Sequence, residues 1–163
     1  MNTVVELLHK GAQDHGDMPY LGGKAGNDWK TYSFKETDQV SSAFGAALIH
    51  QGFKKGDNIS ILSEGRPSWV IGEFGILKAG CTSVPLSTKL LEEEIIFRID
   101  HSESKALLVS ENNFQRAADA LKNVQSKPVL IIISPRSPKI EELAAKYSSG
   151  EEKVLFYDDL VAE

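Results

Sequence analysis

A chain of 163 residues, 41% apolar and 25% charged, has the size and make-up of one soluble globular unit and excludes two full enzyme domains. Eighteen basic against 23 acidic residues leave a net charge of -5, with no basic run beyond Lys54-Lys55, which argues against nucleic acid as a partner. The longest aliphatic run, Val129 to Ile133, is far short of the roughly 20 residues a membrane span requires.

Met1 to Gly16 mixes Glu6, His9, Lys10 and Asp14 among its leucines, which is not the pattern of a secretory leader, so a cytoplasmic location is expected. Thr3 and Glu6 form a Thr-x-x-Glu capping box ahead of Val4, Val5, Leu7 and Leu8 and predict a short opening helix. Tyr20-Leu21 and Trp29 to Tyr32 read as the two arms of a hairpin, with Gly22-Gly23-Lys24-Ala25-Gly26 and Asn27-Asp28 as the turn between them. Ser33 and Glu36 make a second capping box. Val40, Ala43, Phe44, Ala47 and Leu48 then fall at the spacing of an amphipathic helix that ends at Gly52.

Asn58 to Ser63 alternates around Ile59 and Ile61 and reads as a strand. Arg66-Pro67-Ser68 places a proline in the first turn of a helix over Trp69 to Ala79, whose apolar residues surround most of its circumference and predict burial. Cys81 to Leu86 is a short strand closed by Pro85. Leu91, Ile95, Ile96 and Ile99 mark the inner face of a helix whose first turn carries Glu92, Glu93 and Glu94 in solvent. Ala106 to Val109 is a strand, and Phe114, Ala117, Ala118 and Leu121 mark a helix. Val129 to Ile133 is a strand buried on both faces. Ile140 to Tyr147 is a short helix punctuated by Pro135, Pro138 and Gly150, and Lys153 to Tyr157 is the last strand. The expected fold class is therefore α/β, a mainly parallel sheet with helices on both faces and right-handed crossovers, preceded by an N-terminal helix and a small hairpin. No repeat or linker divides residues 1–163.

Chemistry is hard to find along this chain. A Walker loop needs a glycine five residues before its Gly-Lys pair and Ser or Thr after it; around Gly23-Lys24 those positions hold Met18 and Ala25. His9, His15, His50 and His101 lie in separate segments without the i, i+4 pairing of a helical zinc site, and surface or capping roles are expected. Asp158-Asp159 and Glu151-Glu152 read as solvated charge, no Gly-x-Ser-x-Gly elbow is present, and the single cysteine, Cys81, reads as a packed side chain. Arg66, just before a buried helix, is expected to form a structural ion pair or to bind a carbonyl. No catalytic residue and no metal ligand is assigned.

Three stretches carry a resemblance. Thr31-Tyr32-Ser33-Phe34-Lys35-Glu36 resembles the Thr-Tyr-x-Glu-Leu opening of the adenylate-forming enzymes. Gly56 to Trp69, Gly-Asp-Asn-Ile-Ser-Ile-Leu-Ser-Glu-Gly-Arg-Pro-Ser-Trp, resembles the Gly-Asp-x-Val-x-Ile-x-Ser-Glu-Asn-Arg-Pro-Glu-Trp stretch of long-chain acyl-CoA synthetases, with Gly65 where that family usually has Asn. Leu77-Lys78-Ala79-Gly80-Cys81-Thr82-Ser83-Val84-Pro85-Leu86 resembles the superfamily's Leu-Lys-Ala-Gly-x-x-x-Val-Pro-Leu block. The agreement covers roughly residues 1 to 133.

The resemblance implies an N-terminal subdomain of a longer AMP-forming fatty acid–CoA ligase, in which ATP activates the acid to an acyl-adenylate and CoA displaces AMP. It implies ATP, Mg2+ and CoA for that parent, with the rest of the same polypeptide as this segment's partner. Peripheral membrane attachment and a homodimer are left open. The family's phosphate loop, its Tyr-Gly-x-Thr-Glu segment, its ribose-binding Asp and its lid lysine have no counterpart here, so residues 1–163 alone are expected to be inactive. By the same resemblance Arg116, after Leu107-Leu108-Val109-Ser110, is a candidate contact for the CoA nucleotide phosphate; the competing view is a solvated arginine on the outer helix face. Two other readings remain: a stand-alone, non-catalytic α/β module that binds a nucleotide or protein, and a scaffold for dimer contact.

Overall fold

The chain opens with α1 (Val4–His15), whose N-cap Thr3 accepts the Glu6 N–H through its hydroxyl. The computed structural model describes residues 3–25, 28–148 and 153–162. An antiparallel pair follows, β1 (Pro19–Ala25) and β2 (Asp28–Ser33). Gly22 to Ala25, expected in the turn, instead belong to β1 and pair with Trp29 to Thr31 and Asp28. A glycine run mimics a turn in sequence, yet cross-strand hydrogen bonds need no side chain. Gly26 and Asn27, the rest of that turn, lie outside the described residues.

Helix α2 (Phe34–His50) begins at the reciprocal capping box expected of Ser33 and Glu36, with N···O distances of 2.7 and 3.1 Å. Next come β3 (Asn58–Leu62), α3 (Pro67–Lys78) and β4 (Thr82–Leu86). No residue of α3 is exposed, as its apolar circumference required. It stops in a Schellman motif in which the Gly80 N–H meets Leu77 O and the Cys81 N–H meets Ile76 O, both at 3.0 Å, with Gly80 at φ 76°.

The second half runs α4 (Glu92–His101), β5 (Ala106–Val109), α5 (Glu111–Leu121), β6 (Val129–Ile132), α6 (Pro138–Tyr147), β7 (Val154–Phe156) and α7 (Tyr157–Leu160). Tyr157, expected to end the last strand, instead starts α7. Gly150, Glu151 and Glu152 lie outside the described residues. The carboxylates of Glu92, Glu93 and Glu94 are exposed in the first turn of α4, and Glu94 also accepts the Leu91 N–H at 2.8 Å.

The five strands β3 to β7 form one parallel sheet in the order β4-β3-β5-β6-β7. Pro85 sits on its edge strand β4, where a missing N–H costs least. Alternate residues feed two cores. Leu62, Leu107, Val109, Leu130 and Ile132 pack with Ile95, Phe114 and Ile140 on the face of α4, α5 and α6. Ile59, Ile61, Leu108, Ile131 and Ile133 pack with Phe44, Ile71 and Tyr157 on the face of α2, α3 and α7. Burial on both faces explains why polar Ser60 is fully enclosed; its hydroxyl is satisfied by Ser104 at 2.6 Å.

Candidate functional site

The strand order reverses around β3: the chain passes to β4 on one side and returns to β5 on the other. Such a switch point leaves a crevice beyond the carboxyl ends of the two strands, because the following helices depart to opposite faces. Glu64 after β3 and Ser110, Asn112 and Asn113 after β5 meet there. The Glu64 carboxylate accepts from Ser110 Oγ at 2.6 Å, from the amides of Asn112 and Asn113 at 3.0 Å each, and from the Arg66 guanidinium. Burial pushes its pKa up, but the Ser110 hydroxyl, its own backbone N–H and Arg66 outweigh that and hold it below the usual carboxylate range. With both oxygens occupied it is a clamp, not a proton acceptor.

Arg66 continues the network: its Nη1 donates to Ser134 Oγ at 2.7 Å, and Ser134 Oγ also accepts the Glu111 N–H at 2.8 Å. The structural ion pair expected of Arg66 is thus present, with Glu64 as partner. A cleft of about 580 Å³ opens beside it, walled by the hairpin at Gly23, Lys24, Lys30 and Tyr32, by the start of α3, and by Ser134 and Tyr157. Gly23 is required there, since a Cβ would stand 2.7 Å from Pro67 Cδ. Among the described residues, two buried donors on this cleft, Arg66 Nε and Tyr157 Oη, have no hydrogen-bond partner. Burial, with Tyr32 and Asp158 nearby, pushes the Tyr157 phenol well above its ordinary pKa, so it remains a protonated donor. The arrangement is built to bind and orient an acceptor group rather than to transfer protons.

Arg116 does not line this cleft. Its guanidinium donates to Leu90 O at 2.9 Å, Thr88 O at 2.8 Å and Asn113 Oδ1 at 2.6 Å, tying α5 to the loop between β4 and α4. It is half-buried, which corrects the solvated, outward-facing alternative. His9 bonds Asp38 at 3.0 Å and Gln13 at 3.1 Å, His15 and His50 occupy the last turns of α1 and α2, and His101 stacks on Phe97. Cys81 is buried, its thiol raised by burial and by the Asp57 charge. Asp159, expected in solvent, pairs with Arg136 at the surface. Among the described residues no three His, Cys, Asp or Glu side chains converge on a metal site, and no helix is long and apolar enough to cross a membrane.

Sequence reasoning placed Glu64 only inside a motif and missed Ser134 and Tyr157 altogether. Ser134 has no local signal, since its role comes from a residue 68 positions away.

The family described as AMP-binding enzyme matches residues 8–159. Human long-chain-fatty-acid–CoA ligase 1 is 30% identical over 130 residues, covering 78% of this chain and 18% of that protein. Peroxisomal long chain acyl-CoA synthetase 6 of Arabidopsis thaliana is 25% identical over 165 residues, covering 98% of this chain and 23% of that protein. The chain thus spans about a fifth of the length of these relatives. Among solved structures, the adenylation domain of a carboxylate reductase from Mycobacterium chelonae superposes with a TM-score of 0.87 at 19% identity, over 98% of this chain and 28% of that one; at that identity the likeness is one of fold.

Proposed function

The chain belongs to the AMP-binding enzyme family, and from that premise we propose that residues 1–163 are one N-terminal subdomain of a long-chain fatty acid–CoA ligase. The observation that supports this is the 30% identity to human long-chain-fatty-acid–CoA ligase 1 over 78% of this chain, together with the resemblance of Gly56 to Trp69 to the long-chain acyl-CoA synthetase stretch. In the whole enzyme a fatty acid attacks the α-phosphate of ATP to give acyl-adenylate and pyrophosphate, and the CoA thiol then displaces AMP. ATP supplies the phosphoanhydride bond that makes the carboxyl carbon electrophilic. The residues of this chain shape and hold one wall of the enzyme: Glu64 locks β3 to β5, and Arg66 locks the start of α3 to Ser134. The His, Cys, Asp and Glu side chains among the described residues form no cluster of three or more that would hold Mg2+.

Arg116 enters this reading as a candidate CoA-phosphate contact. A phosphate would have to share nitrogens that already serve Leu90, Thr88 and Asn113. In a ligase containing this chain, Arg116→Lys raises the KM for CoA and leaves those for ATP and acid unchanged if the contact exists. Equal KM values for CoA remove Arg116 from the site.

The cytoplasm is the compartment we assign. Leu91 and Phe97, 68% and 64% exposed beside and on α4, are where a homodimer or further polypeptide would seat.

ATP–pyrophosphate exchange with a fatty acid tests the proposal. None is expected from residues 1–163, because positioning and charge stabilisation of the transferring group depend on residues absent here, while a longer product of the same gene is expected to exchange and to form acyl-CoA. Turnover by residues 1–163 overturns the division of labour, and an inactive longer product overturns the ligase reading. A stop codon after Glu163 would instead favour a stand-alone binding module.

A further inference from the structure

The cleft holds more than a wall requires. Arg66 uses Nη1 on Ser134 and Nη2 on Glu64, which fixes the guanidinium plane and leaves Nε–H buried without an acceptor among the described residues. Across the same cleft Tyr157, only 6% exposed, has its ring against Phe44 and its hydroxyl likewise unpartnered. Buried donors without acceptors are rare and destabilising. Two on one cleft call for a shared acceptor.

The surrounding charge defines that acceptor. Lys24 and Lys30 of the hairpin line the cleft. Of the two carboxylates that also line it, Glu111 is paired with Lys139 at 3.1 Å, leaving Asp158 at the exposed rim. Lys30 Nζ already lies 4.9 Å over the Tyr32 ring, yet with Lys24 it keeps this wall positive, so an incoming oxyanion gains an attraction that a neutral carbonyl would not.

We propose that Arg66 Nε and Tyr157 Oη form a binding site for an oxyanion, a carboxylate or a phosphate, with Lys24 and Lys30 as its flexible cationic cover. Both donor atoms are closed to water in the unliganded chain, so an anion must displace part of the cleft wall to reach them. The hairpin shares no ladder with the five-stranded sheet, though Leu21 and Tyr32 pack against the core, and it is the wall assigned to this movement. The site does not depend on the ligase reading, and its test uses binding rather than turnover.

The 163-residue chain, labelled with 15N, is titrated with sodium phosphate and separately with sodium acetate at constant ionic strength, following the Arg66 Nε–H resonance. A saturable downfield shift with a Kd of about 1 mM or tighter is expected with at least one anion, and the anion that gives it identifies the chemistry. Sodium chloride gives none. Tyr157→Phe, which removes one oxygen, weakens binding about tenfold or more and leaves the Tm of the unliganded protein unchanged or higher, because the lost hydroxyl had no partner. No saturable shift with either anion, unchanged binding by Tyr157→Phe, or a Tm lowered by several degrees in that variant would each overturn the proposal.

Discussion

Lys78 Nζ lies 2.7 Å from Asp38 Oδ1 where α3 crosses α2, with the two side chains only 12% and 16% exposed. The same ammonium also reaches Asp38 O, Ser41 Oγ and Ser42 Oγ within 2.8 Å. A charge held this way is expensive to orphan. Lys78→Met is expected to lower stability by about 3 kcal/mol, read as a fall in urea midpoint. The double variant Lys78→Met, Asp38→Asn should recover much of it; failure to recover would show that the lysine acts by packing alone.

Acid should loosen the fold through two carboxylates. Burial raises the pKa of Asp38, but Lys78 and His9 outweigh it and leave the group below its ordinary value; Glu64 is lowered as described above. A folded-state value below the unfolded one means that the unfolded chain binds more protons. The stability they contribute is complete above the unfolded carboxylate values of about 4 and is lost as pH falls through the lowered folded values. Urea midpoints between neutral and acid pH should fall in that window, and less steeply in Asp38→Asn.

Two glycines make opposite predictions. A Cβ on Gly75 would stand 2.5 Å from Phe44 Cδ1 and 3.1 Å from Ser41 O, and Phe44 is fully enclosed, so Gly75→Ala should cost about 1–3 kcal/mol or more by forcing α2 and α3 apart. Gly65 has nothing within 4 Å of its Cβ position. Gly65→Asn, which restores the residue usual in the family, is expected to change stability by less than about 0.5 kcal/mol. Thermal melts of both decide the pair.

Arg116→Ala removes the clamp on two backbone carbonyls, Leu90 O and Thr88 O. The expected loss is about 1–3 kcal/mol, with faster amide exchange along residues 87–91. Unchanged exchange there would show that the loop holds without the arginine.

Cys81 should behave as an inert thiol. It is 6% exposed, its thiol faces Lys54 O at 3.4 Å, and burial with Asp57 raises its pKa, all of which suppress the reactive thiolate. Iodoacetamide is expected to leave the native chain unlabelled and to label it once in urea. Rapid native labelling would mean that the Gly80 turn opens.

Periodicity and capping were enough to find the opening helix, the Ser33–Glu36 box and the buried α3, because each depends on residues within a few positions of one another; the parallel sheet followed from the alternation of strands and helices along the chain. The same local reasoning misjudged Gly22 to Ala25, where pairing with β2 overrides the turn tendency of glycine. It also extended β7 through Tyr157, whose ring turns into the core against Phe44 as α7 begins. Family resemblance located Glu64 and Arg66 but not their partners.

Sequence by itself therefore determined the elements, their order and the family, since hydrophobic spacing and motif residues are properties of neighbours along the chain. Tertiary structure alone decided that Glu64 reaches Ser110 and Asn113, that Arg66 reaches Ser134, and that Tyr157 closes the same cleft. Those partners are brought together by strand order, and strand order is set by how whole faces bury against each other, which no short window of residues contains.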